Sequence, residues 1–170
     1  RLILFVPILG IAFFLAYGSI KIFQSDIRHN LAIYYAKSEK WDYAIREFEK
    51  EEPGAGTYIM SRYFLGNVYN DRGGPGDYER ALQQYREVRS MAPDYVQVHF
   101  QEALALERLN RIPEAVERME RQVRLDPVYE PAWLRLAGLY EKIGDIEKAK
   151  SARQQAEAVK TVWATKKLSK

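Results

Sequence analysis

Residues 132–149 read AWLRLAGLYEKIGDIEKA, and this stretch decides the fold. Tyr140 follows Ala137 by three residues and Leu136 by four. A Gly-Asp pair comes next, and Ala149 belongs to a second pattern of the same kind. Residues with this spacing share one face of an α-helix, and glycine is typical of a helix end. The stretch therefore predicts two helices joined by a tight turn.

The same pattern occurs four times along the chain. One alanine per repeat recurs at intervals of 37, 34 and 34 residues, and a small residue precedes it by 12 residues, or by 15 where GGPG is inserted. The alanines are Ala44, Ala81, Ala115 and Ala149, and the small residues are Ala32, Gly66, Ala103 and Ala137. Small residues let paired helices approach closely, and because one hairpin buries too little apolar area alone, the hairpins must stack.

Eight helices follow from this spacing. They are predicted near residues 26–38, 41–52, 57–71, 77–91, 94–109, 112–125, 129–143 and 146–164. The turns between them fall at polar or glycine-rich positions, namely residues 38–40, 73–76, 110–111 and 144–145.

The sequence Trp133-x-x-Leu136-Ala137-x-x-Tyr140, followed by Ala149 and preceded by Pro127, resembles the tetratricopeptide repeat (TPR) family. The resemblance implies an all-α fold, a TPR-type α-α superhelix of stacked helical hairpins. The implied boundaries are four repeats within 25–160 (25–58, 59–95, 96–129 and 130–160) and a basic C-terminal tail at 161–170. Glu102 departs from the pattern, which has leucine there, and Arg153 replaces an aromatic residue, as expected of a terminal repeat.

The first residues form a different kind of segment. Leu2 to Ile20 are 19 consecutive residues without a charge, and about 20 helical residues span a hydrocarbon core of about 30 Å. Residues 1–24 are therefore predicted to be a transmembrane anchor helix, rather than a cleaved signal peptide or a buried core helix. The expected location is a single pass in a bacterial cytoplasmic membrane. Lys21 and Arg28 favour a cytoplasmic repeat domain, whereas the family resemblance favours a periplasmic one.

Little in the sequence indicates chemistry. The chain has no cysteine and two histidines, and its 26 basic and 23 acidic residues give a net charge of +3. His29 and His99 are expected to be surface or packing residues, and Glu51 and Glu52 to be solvated charges on a helix. The GGPG sequence lacks the Lys-Ser/Thr of a phosphate-binding loop. No catalysis, cofactor, metal, nucleic-acid partner or small-molecule substrate is predicted.

A protein-binding role is implied instead by the TPR resemblance. Such stacks present a concave groove lined by the first helix of each repeat, which suits an extended peptide or a helix. The predicted binding residues are His29, Ile33, Lys37, Tyr63, Asn67, Asn70, Phe100, Leu104, Glu107, Arg108, Leu134 and Glu141.

Two functions are compatible with these features. The first is a membrane-anchored scaffold or assembly subunit whose partners are other proteins of a membrane complex and the lipid bilayer. The second is the last transmembrane helix and TPR tail of a larger membrane enzyme, because residues 92–99 (APDYVQVH) resemble the tails of some O-antigen ligase or polymerase-type proteins.

Overall fold

The computed structural model describes the backbone of residues 2–168 and the side chains of residues 10, 13–95 and 97–162. This part of the chain is entirely α-helical and contains eight helices and no strand. They are α1 (Leu2–Lys37), α2 (Trp41–Glu49), α3 (Tyr58–Arg72), α4 (Asp77–Met91), α5 (Val96–Arg108), α6 (Ile112–Leu125), α7 (Glu130–Lys142) and α8 (Ile146–Leu168). The bounds of α3 to α7 lie within two residues of those that the repeat pattern predicts.

The helices belong to two compact units. The first ends at Val68 and the second begins at Tyr69, so that the boundary falls inside α3. In the first unit α1 packs against α2. In the second unit each helix from α4 to α7 packs against the helix that follows it in the chain. This is the packing order that consecutive hairpins require.

The small residues of the repeat pattern lie in the core. The recurring alanines and the small residues that precede them are buried at all eight positions. Among them Ala44, Ala81 and Ala115 have no exposed surface at all. Because an alanine side chain ends at Cβ, these positions bring two helix backbones close together, and larger residues on either side fill the remaining space.

Three of the four turns within the predicted hairpins share one backbone geometry. Glu39, Asn110 and Gly144 each have a positive φ, of 56°, 57° and 79°. The next residue donates its N–H to the carbonyl five residues before it: Lys40 to Tyr35, Arg111 to Leu106 and Asp145 to Tyr140, each at 2.9 Å. This pattern is a Schellman motif, which satisfies the last carbonyls of the first helix. The shared bond shows the repeat at backbone level.

The GGPG insert forms a turn that is held by a buried carboxylate. Asp77 is almost fully buried and accepts hydrogen bonds from Arg72 at 2.7 and 2.8 Å and from the N–H of Gly74 at 2.9 Å. The Arg72 hydrogen bonds hold the pKa of Asp77 below its usual value. Gly76 has φ of 74°, a conformation that glycine adopts without strain. The insert thus replaces the Schellman turn of the other repeats with a side-chain clamp.

The start of the first repeat differs from the prediction. An anchor ending at residue 24 and a helix beginning near residue 26 were expected as separate segments, but α1 runs without a break from Leu2 to Lys37. No glycine or proline lies between residues 19 and 37, so nothing interrupts the backbone hydrogen bonds where the composition changes.

The end of α2 also differs from the prediction. The helix ends at Glu49, three residues earlier than expected. Glu51 is therefore in the connection to α3 and is buried, with 5% of its surface exposed, whereas the side chain of Glu52 is 71% exposed. The prediction of a solvated helix charge is wrong for Glu51, because hydroxyl groups of α1 and of the α2–α3 connection surround its carboxylate.

The two ends of the chain lie partly outside the described residues. None of the helices, over their described residues, combines the length and the apolar character needed to span a bilayer. The side chains of residues 1–9, 11 and 12, about half of the apolar segment, are not among them. The same holds for the side chains of residues 163–170, which include Trp163 and most of the predicted basic tail.

Candidate protein-binding surface

His29, a predicted binding residue of the first unit, is part of the core. It is buried, its Nδ1 lies 2.8 Å from the Ser61 hydroxyl, and its ring makes edge contacts with Phe48 and Phe64. Burial lowers the pKa of His29, although the negative charge of Glu51 opposes this effect. His29 is therefore a packing residue rather than a surface residue, and it is not accessible to a partner.

The other predicted residues of the first unit are mixed in exposure. Tyr63 is buried and makes an edge contact with Phe64 at 5.4 Å between ring centres. Ile33 and Asn67 are half-buried, and Lys37 is exposed. Lys37 is thus the most accessible of these predicted positions in the first unit.

In the second unit three predicted residues, Phe100, Leu104 and Leu134, place apolar side chains on α5 and α7. Phe100 is half-buried and meets the ring of Tyr129 edge-on at 5.5 Å. Leu104 is half-buried, and Leu134 is 49% exposed. We call Phe100, Leu104, Tyr129 and Leu134 the α5–α7 surface. Exposed aromatic and aliphatic side chains of this kind are typical of the centre of a protein interface.

Charged side chains connect the same two helices. The Glu107 carboxylate of α5 accepts a hydrogen bond from Lys142 at 2.6 Å and one from Arg135 at 3.3 Å, both on α7. The Glu107 side chain is less exposed than that of either cation, and it forms an ion pair with both. The predicted position Glu107 thus fixes α5 beside α7 and leaves an excess of positive charge next to the α5–α7 surface.

The remaining predicted residues of the second unit are Asn70, Arg108 and Glu141. The amide nitrogen of Asn70 donates to the Tyr85 hydroxyl at 3.0 Å and to the Gln101 carbonyl at 3.2 Å. The Asn70 Oδ1 is buried without a hydrogen-bond partner in the described part of the chain. Arg108 is exposed, and so is Glu141, which is bonded to Arg153.

Sequence reasoning missed part of this surface. Tyr129, Arg135 and Lys142 contribute an aromatic contact and two cations, but none was predicted. Tyr129 precedes α7 and therefore has no helical spacing that would place it. The signal for Arg135 and Lys142 was available, because residues seven apart lie on one side of a helix.

A buried charge pair lies elsewhere in the second unit. Glu102, which replaces the leucine of the TPR pattern, is buried and forms an ion pair with Arg89 at 2.8 Å. Burial raises the pKa of Glu102, and the positive charge of Arg89 opposes the shift. His99 is also buried, and desolvation lowers its pKa. Among the described side chains, no group of three or more His, Asp or Glu residues is arranged to hold a metal ion.

Comparison with known proteins supports the repeat. Residues 130–159 match the family described as tetratricopeptide repeat. The chain is 36% identical over 86 residues to the inactive TPR repeat-containing thioredoxin TTL3 of Arabidopsis thaliana, and 37% identical over 75 residues to the TPR repeat-containing thioredoxin TTL4 of the same plant. These matches cover 51% and 44% of the chain but only 12% and 11% of those proteins.

Solved structures of MamA have the same fold. A structure of the MamA RS-1 ArsTM double mutant has a TM-score of 0.75 at 18% identity and covers 83% of this chain and 78% of that one. MamA residues 41-end from Desulfovibrio magneticus RS-1 gives 0.73 at 19%, with coverage of 81% and 76%. The chain therefore carries a tetratricopeptide repeat, is related in sequence to TPR-containing proteins, and has an all-α, TPR-like fold similar to that of MamA.

Proposed function

We propose that this protein is a membrane-anchored TPR scaffold that binds a partner protein through the α5–α7 surface and performs no catalysis itself. The observation that carries the proposal is the α5–α7 surface, where Leu134 and Tyr129 stay exposed beside the cations Arg135 and Lys142. A partner that covers these apolar groups and brings a carboxylate to the cations is favoured. Such a partner is an acidic amphipathic helix or an extended acidic peptide.

The binding half of the proposal is tested by one substitution and a matched control. Leu134→Asp places a charge in the α5–α7 surface, and Ile143→Asp makes the same kind of change at the C-terminal end of α7. The two side chains are 49% and 46% exposed, so both changes leave folding largely intact. After mild detergent extraction we expect the unaltered chain and Ile143→Asp to retain a partner in stoichiometric amount, and Leu134→Asp to lose it. Equal retention by both variants would remove the α5–α7 surface from the proposal.

The anchor half rests on α1. Phe13 and Phe14 are 73% and 74% exposed, and Leu15, Ile20, Ile22 and Phe23 are exposed as well. Large apolar side chains on every side of one helix are unfavourable in water but favourable in a bilayer. Together with the charge-free sequence from Leu2 to Ile20, this exposure supports an anchor at residues 1–24.

Membrane extraction tests the anchor separately. We expect the full chain to stay in the membrane pellet at alkaline pH, where peripheral proteins are released, and a variant lacking residues 1–24 to appear in the supernatant. Leu15→Arg should weaken insertion, since a charge near the centre of a spanning helix costs about 2.5–3.5 kcal/mol. Release of the full chain by alkali would contradict the anchor and leave the α5–α7 surface unaffected.

A further inference from the structure

The first unit contains a polar pocket at the end of the apolar part of α1. It lies between α1 and the connection from α2 to α3, and it has a volume of about 330 Å³. Its charged lining consists of Lys21 and Arg28 from α1 and of Glu51 and Glu52 from the connection. This volume is at the lower end of the range for small-molecule sites.

The acidic side of the pocket is a built cluster. The Glu51 carboxylate accepts a hydrogen bond from the Thr57 hydroxyl at 2.7 Å and one from the Ser25 hydroxyl, and these two hydroxyl oxygens lie 2.5 Å apart. All three residues are buried. Both hydroxyls act on Oε1, whereas Glu51 Oε2 is buried and has no hydrogen-bond partner among the described residues. An unpaired buried carboxylate oxygen is costly, so the site is incomplete without a donor.

The basic side of the pocket also has a cation without an ion pair in the described residues, Arg28, which adds to Lys21 in lowering the pKa of Glu52. Lys21 is paired with Glu52 at 3.0 Å. Arg28 is half-buried, lines the pocket, and forms no ion pair within the described part of the chain. With Lys21 paired to Glu52, the lining holds one guanidinium without an ion pair and one buried carboxylate oxygen, Glu51 Oε2, without a hydrogen-bond partner among the described residues. A ligand that carries both an anion and an N–H cation complements these two groups.

The position of the pocket indicates where such a ligand comes from. Ile22 lines the pocket, and Ile22 and Phe23 are both largely exposed next to Lys21. With residues 1–24 in the bilayer, as the proposed function has it, this end of the apolar segment lies at the depth of the lipid headgroups. A zwitterionic headgroup with a phosphate and a primary ammonium is present at that depth in bilayers, and its acyl chains extend along α1.

We propose that this pocket binds the headgroup of a phosphatidylethanolamine-type lipid, with the phosphate on Arg28 and the ammonium on Glu51. The inference rests on the proposed anchor. It predicts selectivity for a primary ammonium: a choline headgroup has no N–H to donate to Glu51, and a glycerol headgroup has no cation. Phosphate binding by Arg28 is common to all three headgroups.

The test uses the full chain in a non-ionic detergent and native mass spectrometry with dihexanoyl forms of phosphatidylethanolamine, phosphatidylcholine and phosphatidylglycerol. We expect the ethanolamine lipid to bind about tenfold more tightly than the other two, as one charge-assisted hydrogen bond provides. Glu51→Gln should remove this selectivity, and Arg28→Gln should weaken the binding of all three lipids alike. Glu47→Gln and Arg46→Gln, which alter charges of α2 outside the pocket lining, should bind as the unaltered chain does.

Several outcomes would overturn the inference. Equal binding of the three lipids would do so, as would selectivity that survives Glu51→Gln or an affinity that survives Arg28→Gln. Free O-phosphoethanolamine that competes as strongly as the lipid would assign the pocket to a soluble ligand instead. The circular dichroism melting curve of each variant is measured beside its binding. If Glu51→Gln melts earlier than the unaltered chain, Arg28→Gln decides, because Arg28 forms no ion pair within the described residues. A full chain that is released by alkali but still selects the ethanolamine lipid refutes the anchor and not the headgroup site.

Discussion

Replacing Ala115 with leucine tests the close approach of helices in the second unit. Ala115 lies in α6 and has no exposed surface. Leucine adds three carbon atoms, and if a cavity were available their burial would stabilise the protein by about 2.4 kcal/mol, at about 0.8 kcal/mol per carbon. In a packed interface the same atoms instead displace side chains and backbone, which costs about 1–3 kcal/mol. The sign of the change therefore distinguishes the two situations.

The free energy of unfolding is measured by urea titration of the full chain in mild detergent, with circular dichroism as the signal. The melting temperature is measured by heating the same sample with the same signal. The matched control is Ala158→Leu, the same substitution at an exposed position of α8. We expect Ala115→Leu to lower the free energy of unfolding by about 1–3 kcal/mol and to lower the melting temperature by a few degrees for each kcal/mol. The control should change little, because leucine is nearly as good a helix former as alanine. A variant Ala115→Leu as stable as the control would refute the helix-pair packing.

Three further changes test other parts of the structure. Phe48→Ala removes a buried ring stacked on Phe64 at 6.4 Å and should destabilise the chain by about 3–5 kcal/mol in the same urea assay; a loss below about 1 kcal/mol would contradict its place in the core. Because burial lowers the pKa of His29, protonation favours the unfolded chain, so stability should fall as the pH drops below the ordinary value of 6.5, and His29→Gln should reduce this fall in melts from pH 7.5 to 5; unchanged pH dependence would count against the assigned burial. Arg89→Gln should cost about 1–3 kcal/mol of unfolding free energy by leaving the Glu102 carboxylate without its cation, and Glu102→Leu added to it should recover the loss; a double variant no more stable than Arg89→Gln would refute this account.

The sequence predicts the regular parts of this fold well because the repeat imposes them. The turn at Asn110 and the turn at Gly144 fall where the pattern places them, since both residue types tolerate a positive φ. The predicted anchor boundary at residue 24 falls inside the continuous α1, because a change from apolar to polar composition does not by itself end a helix. Only a residue that breaks the backbone hydrogen bonds, or a competing cap, does so.

The candidate sites were harder to predict. The cluster of Ser25, Glu51 and Thr57 joins residues that are 26 and 32 positions from Ser25, and no period connects them. His29 was assigned to a binding face because helical spacing shows which residues share a face, not which neighbouring helix covers it. The α5–α7 surface was predicted in part, through Phe100, Leu104 and Leu134, and its role in binding stays a prediction, as does the alternative of a larger membrane enzyme.

The unbroken α1 has a mechanical consequence. Its 36 residues form a rod of about 54 Å at about 1.5 Å per residue, with no joint between the apolar end and the end that packs on α2. A spanning helix that is too long for its bilayer inclines to fit. With residues 1–24 embedded, any such inclination would swing the α2 hairpin through the same angle, so bilayer thickness would set the direction in which this hairpin faces.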